Sequence, residues 1–335
     1  MKKVYNLSKV NSTLIAIRHF FLTLVLLLTI VGAVRTQTLI SPTGAGGFEN
    51  GSTFGANGWS VANSGGGPNL WYVGTVPTGF SNRSAFISND MGASYQYDGS
   101  STSVVHFYRD VTFPAGVPSF TLSFNWKCIG EAGPFDALIV SLAPTSYTPS
   151  GSTVSLGTGV LPSPANMLGG ISAPQLRGQS VVQTYTYTLL SSDIGNCSSS
   201  VTKRLIFTWK NDSSLGTNPP GAVDNISLVG NPISISNGTD RCNDGATIAY
   251  TGSPAPGAGQ TGTMTLGPTS PNFSQTGPNT ANFTMPGTAP GTYTATYHIS
   301  DVAGCTFSAS DQVTIYAAPV VSLNDKVVNC ATPGT

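Results

Sequence analysis

The chain has 335 residues, of which only 8% are charged, against roughly 25% in an average soluble domain. Its 14 Lys and Arg and 14 Asp and Glu form no basic cluster, which argues against a nucleic-acid or anionic-membrane binder. A hydrophobic share of 39%, laid out in short alternating runs, argues against disorder.

The first segment, MKKVYNLSKVNSTLIAIRHF, carries Lys2, Lys3, Lys9 and Arg18 with no acid, and FFLTLVLLLTIVGA follows at once. That basic-then-apolar order predicts a secretory signal over residues 1–33, cleaved at 33/34 or 36/37, in preference to a retained anchor. Its removal leaves ten basic against fourteen acidic residues, a mildly acidic product. No later run is apolar enough to span a bilayer, so a secreted or surface-held mature chain without a membrane-spanning segment is expected.

From about residue 40 the period is two. GGFENG (46–51) sets Glu49 near the start, and GGGPNLWYVG (65–74) places Trp71 and Tyr72 in a strand. These two aromatics are a candidate sugar-stacking platform, although aromatics in strands more often face a core. VVHFYRDVTF (104–113) precedes TLSFNWKC (121–128), where Leu122, Phe124, Trp126 and Cys128 share one face. ALIVSLAP (137–144), VVQTYTYTLL (181–190) and DNISLVG (224–230) are further strands, and SSDIGN (191–196) is a short helical turn. In RLIFTWKN (204–211), Leu205, Phe207 and Trp209 again oppose Arg204, Thr208 and Lys210.

Two strands end in Trp-Lys, and their following loops, CIGEAGPFD (128–136) and NDSSLGTNPP (211–220), would crowd one rim if those strands run side by side. Glu131, Asp136, Asn211 and Asp212 are therefore candidate ligand-binding residues; the competing reading is plain turn formation. Glu49 and Asp224 would meet if the first and last strands of the domain are neighbours. Two carboxylates joined by backbone carbonyls would make a structural calcium site, unless each merely caps a turn.

Residues 40–231 thus read as one all-β sandwich. At GNPISISNGTD (230–240) the composition shifts to Gly, Pro and Thr, and 232–318 read as a small second sandwich. PVVSLNDKVVNC (319–330) repeats the pattern of PISISNGTDRC (232–242), so 319–335 read as the start of a further copy inside which the sequence stops; the competing reading is an ordinary C-terminal tail. Cysteines of an exported chain tend to pair. Cys242 and Cys305 are expected to bridge, closing a loop of about 60 residues worth roughly 4 kcal/mol. Cys128 and Cys197 have two readings, a bridge or a buried Cys128 thiol.

Catalytic inventory is thin. His19 lies in the leader, His106 and His298 in strands, and no GxSxG, HExxH or Walker-type motif occurs.

The ordered string FENG, GWSVAN, LWYVG, SAFISND, LSFNWKCIGE, FDALIVSLAP, RLIFTWKND and NPPGAVDNISL, over about 44–230, resembles the N-terminal jelly-roll domain of large exported surface proteins of gliding and related Gram-negative bacteria. It is similar to cleaved-adhesin, MAM-like and carbohydrate-binding jelly rolls. The resemblance implies a structural calcium on Glu49 and Asp224. PGTYTATYHISDVAGC (290–305) makes 232–318 resemble PKD/immunoglobulin-like repeats. The C-terminal sorting domain of type IX secretion clients is not visible. The expectation is an all-β, non-catalytic, adhesin-type protein that binds surface glycans or proteins. The alternative is the accessory region of a larger secreted hydrolase.

Overall fold

The computed structural model describes residues 36–64, 67–132, 135–151, 166–168, 176–195, 197–236, 238–243, 245–285 and 287–317. The expected signal segment and the repeat expected at 319–335 lie outside the described residues.

The period of two becomes strands wherever it was read. The first domain has β1 Gln37–Ile40, β2 Ser60–Ala62, β3 Leu70–Gly74, β4 Ser84–Ser88, β5 Ser103–Phe113, β6 Ser119–Cys128, β7 Ala137–Pro144, β8 Asn166–Met167, β9 Gln179–Leu190, β10 Val201–Asn211 and β11 Ala222–Asn231. One sheet runs β3-β4-β11-β6-β9, with β1 pairing further along β11; the other runs β2-β5-β10-β7-β8. The alternating faces of β6 and β10 meet between the sheets. Leu122, Phe124, Trp126 and Cys128 come from one sheet, and Leu205, Phe207 and Trp209 from the other. This is a jelly-roll β-sandwich. Its centre is aromatic: the Phe107 and Phe207 rings stack at 4.8 Å, and Phe124 meets Phe207 edge-on at 5.2 Å. A short helix, α1 Ser191–Ile194, follows β9. The Leu190 N–H donates to Asp193 Oδ2 at its start, and Gly195 ends it at φ 83°, a left-handed conformation that costs glycine nothing.

The second domain has β12 Ser234–Ile235, β13 Arg241–Cys242, β14 Thr247–Ser253, β15 Gln260–Gly267, β16 Phe273–Gly277, β17 Thr280–Thr284, β18 Gly291–Asp301 and β19 Thr306–Tyr316. Its sheets are β12-β14-β17-β16 and β13-β19-β18-β15, and β13 pairs with β19 in parallel, giving a small immunoglobulin-like sandwich. Tyr250, Phe283, Tyr297 and Val313 fill its core.

The cysteine pairing differs from the expected one. Cys305 is bonded to Cys197, which joins the two domains, and Cys242 is free and exposed. The reason is strand geometry. Cys242 lies opposite Tyr316 at the far end of β19, whereas Cys305 immediately precedes Thr306 at its start. Eleven residues of strand put them roughly 35 Å apart, far beyond disulfide reach. Cys128 is a buried thiol, and burial holds its pKa well above the usual range.

Candidate functional site

In β11, Val223 enters the core and Asp224 takes the opposite face. The register with β6 slips between Asp224 and Ser227, and Asn225 sits at φ 52°, a conformation asparagine tolerates. The bulge resets the phase, so Ile226 and Leu228 return to the core. The loop after β1 then closes over the bulge. The Ile226 N–H donates to the Gly46 carbonyl at 2.8 Å, and the Gly46 N–H to the Ser41 carbonyl at 2.9 Å. Gly46 is required here, because a Cβ would collide with the Ile226 carbonyl oxygen. This approach brings Glu49 to Asp224, as the sequence predicts.

Asp224 is fully buried. Its Oδ1 accepts from the Asn225 N–H at 2.7 Å, Ser81 acts on the carboxylate through its N–H and hydroxyl, and Oδ2 is buried without a hydrogen bond of ordinary geometry. Burial, and then the Glu49 charge, push its pKa up to about 7. Asn82 donates from Nδ2 to Glu49 Oε2. A buried carboxylate that feels the charge of a second one is costly as it stands, and a hard, oxygen-seeking cation would relieve that cost. Glu49 and Asp224 would supply two of the six or more oxygens that calcium takes.

The second carboxylate group behaves differently. The loops after β6 and β10 do share one end of the sandwich: Gly130 and Thr217 form an isolated bridge, and oxygens of Glu131, Asp136 and Asp212 lie within 4.8 Å of one another. Asp136 is fully buried and its oxygens are occupied. Tyr97 donates its hydroxyl to Oδ2 at 2.6 Å, and the Asp212 N–H donates to Oδ1 at 3.3 Å. Burial raises the Asp136 pKa to about 6, and the Asp212 and Glu131 charges add to it. Lys210 is also fully buried, and its pKa falls to about 8 through burial, against the pull of Asp136 and Asp212. Arg177 is close enough to act on Lys210 as well. Two built-in cations thus stand beside three carboxylates.

This corrects part of the predicted ligand set. Asp136 and Asn211 are buried and serve the fold. Asn211 Nδ2 donates to the Asp98 carbonyl at 3.0 Å, and its Oδ1 accepts from the Ser213 N–H at 2.7 Å. Asp212 Oδ1 caps the turn, accepting from the Ser214 N–H at 3.0 Å. Turn formation is the dominant role of the 211–214 stretch.

Trp71 is corrected too. It is 2% exposed, packs edge-on against Phe107 at 4.8 Å, and donates its indole N–H to the Val105 carbonyl at 3.1 Å. A ring so placed cannot stack on a sugar. Tyr72, its neighbour on the other face, is half-buried, and Gly92 closes against its ring.

No protein-family model matches the sequence, and no curated protein matches it. Solved structures do align. The enzymatically active domain of tailspike protein 4 of bacteriophage CBA120 aligns over 56% of this chain at 13% identity and a TM-score of 0.32; the chain spans only 21% of that protein's length. The CBM22-1 xylan-binding domain of Xyn10C from Paenibacillus barcinonensis aligns over 59% of this chain and 97% of its own, at 13% identity and a TM-score of 0.34. The K3 cleaved adhesin domain of Lys-gingipain from Porphyromonas gingivalis aligns over 58% and 98%, at 16% identity and a TM-score of 0.30. Likenesses at this level say nothing about ligand or activity.

Proposed function

We propose that this chain is an exported, surface-held binding protein that recognises glycans or proteins without making or breaking bonds in them. The jelly-roll domain carries the recognition and the small sandwich serves as a spacer. The supporting observation is how the reactive side chains are spent. His106 is buried between the Thr208 hydroxyl, at 2.8 Å, and the Ser150 carbonyl, at 3.0 Å, and burial drops its pKa to about 4. His298 has the Thr265 hydroxyl beside it at 3.4 Å. Asp136 is tied to Tyr97. General acid–base or nucleophilic chemistry needs such groups converging on an open pocket, and these three are tied to neighbours within the fold.

Calcium at Glu49 and Asp224 belongs to the same reading, as a pin between the loop after β1 and the last strand of the domain. The buried Asp224 Oδ2 supports it. The test of function is to present the full chain to a glycan array and to immobilised matrix proteins, then analyse what was bound. Capture of unaltered ligand is the expected result. Cleavage of a glycan or peptide by the purified chain overturns the reading.

A further inference from the structure

The two domains touch along one side. Besides the Cys197–Cys305 bridge, Ser191 donates its hydroxyl to Asp301 Oδ2, and Gln260 donates from Nε2 to the Pro118 carbonyl at 3.1 Å. Next to these contacts a cleft of about 780 Å³ opens, with one wall from each domain. Its floor includes Thr121 and Thr188, cross-strand partners of β6 and β9, with Asn231 at the end of β11. Its roof is the loop PAPGAGQ, Pro254–Gln260.

Both walls are held before any ligand arrives. The Pro254 carbonyl accepts the Tyr297 hydroxyl at 2.8 Å, and Gln260 Oε1 accepts the Gly257 N–H at 3.0 Å. The same Gln260 side chain is the one that reaches Pro118, so the roof is stapled to the floor's own domain. A cleft fixed in this way loses little conformational freedom on binding.

The lining selects a chemistry. Among the described residues no Lys or Arg lines the cleft, and the one acid, Asp193, accepts the Leu190 N–H through Oδ2. Asn231 donates from Nδ2 to Thr121 Oγ1 at 2.9 Å and to Ser119 Oγ at 3.3 Å, which leaves its Oδ1 to accept. Leu190, Pro254, Ala255 and Ala258 supply C–H surface beside these hydroxyls and amides. An anionic ligand would lose its water here and meet no cation. A neutral polyhydroxylated ligand would find hydrogen-bonding groups and apolar patches at alternate positions, in a volume within the usual range for small-ligand sites.

From this we infer that the cleft between the two domains binds a neutral oligosaccharide. The inference rests on the non-catalytic binding reading above and narrows it to one ligand class and one place. It also makes the small sandwich part of the binding surface.

The test uses the full chain and a panel of neutral glucan, xylan and galactan oligosaccharides beside uronate-containing and sulfated ones, read by titration calorimetry. Ala258→Trp fills the cleft from the roof and Thr188→Arg from the floor, both at exposed positions. Thr263→Arg, at an exposed position in β15, is the control. The expected result is binding of a neutral oligosaccharide that weakens about tenfold or more in both cleft variants and is unchanged in the control. Undiminished binding in both cleft variants overturns the cleft and leaves the binding reading standing. Preference for the anionic panel overturns the ligand class. Failure of the full chain to bind any glycan, while it captures a protein, overturns the inference alone. Failure to capture anything overturns both.

Discussion

Two carboxylate groups sit in the jelly-roll domain, each with one buried oxygen that lacks a hydrogen-bond partner, Glu131 Oε2 at the rim and Asp224 Oδ2 at the bulge, and they differ in the charges around them. At the rim, Asp136 is buried together with Lys210, has both oxygens occupied, and lies among Glu131, Asp212 and the charge of Arg177. At the bulge, Asp224 is buried beside another acid, with the Asn225 N–H on Oδ1, Ser81 acting on the carboxylate from its N–H and hydroxyl, and Oδ2 without a hydrogen bond of ordinary geometry. The first group brings its own cations. Among the described residues no cation acts on the second, which is the ground for the calcium proposed there. Proximity of acids alone therefore does not identify a metal site; what matters is whether the fold has already neutralised them.

The largest blow to this contrast would come at the rim. Asp136→Ala leaves Lys210 buried without one of the two acids that act on it and frees the Tyr97 hydroxyl, so a loss of about 3–5 kcal/mol in denaturant unfolding is expected, unaffected by calcium. A neutral outcome would mean that the rim charges are not coupled. Next in size is the bulge. Chelation should lower the melting temperature of the calcium-loaded chain, by about 2.7 kcal/mol of stability if loading was at a hundredfold the dissociation constant, and Asp224→Ala should abolish that response. A melting curve indifferent to chelator removes the calcium proposal.

A pH series sharpens the contrast further. Asp224 has its folded-state pKa raised to about 7 from an ordinary value of 3.8, so between those values the folded chain holds more protons than the unfolded one. Metal-free stability should therefore fall as pH rises from about 4 to about 7. Calcium should flatten the upper part of that fall, because it stabilises the ionised form. Asp136, raised to about 6, contributes a fall of the same sign over about 4 to 6 that calcium leaves alone. The smallest expected effect is that of Glu49→Gln. Without calcium it removes a repulsive charge and should raise stability slightly, by less than about 1 kcal/mol. With calcium it should weaken the ion's effect. Opposite signs in the two conditions are the signature to look for in paired melts.

Much of this was legible from residue order. Alternation in TLSFNWKC and RLIFTWKN marked the two inner faces that now form the core, and the meeting of Glu49 with Asp224 followed from placing the first and last strands side by side. The direction of Trp71 was not legible. In LWYVG either face of the strand could be the inner one, and only the Phe107 ring and the Val105 carbonyl, more than thirty positions away in sequence, decide it. Because of that burial, Trp71→Ala would test stability, at about 3–5 kcal/mol, and not sugar stacking. The cysteine pairing was illegible for a related reason. Loop length favours Cys242 with Cys305, but the parallel placement of β13 against the end of β19 sends them to opposite poles. The balancing role of Lys210 was also hidden, since its strand register assigned it to a polar face with no sign that the face would be covered.

The sulfur–sulfur bond between Cys197 and Cys305 spans 108 positions and encloses β10 to β18. Tension applied at the two ends of the described chain passes from residue 197 to residue 305 through that covalent shortcut. The strands in between, including the bulge at Asp224 and the PAPGAGQ loop, are spared the load that runs along the covalent chain and bear only what their hydrogen-bonded neighbours pass to them. A pull that would unravel residues 198–304 in a reducing solution instead stops at the bridge, while β1 to β9, which precede Cys197, stay on the loaded path.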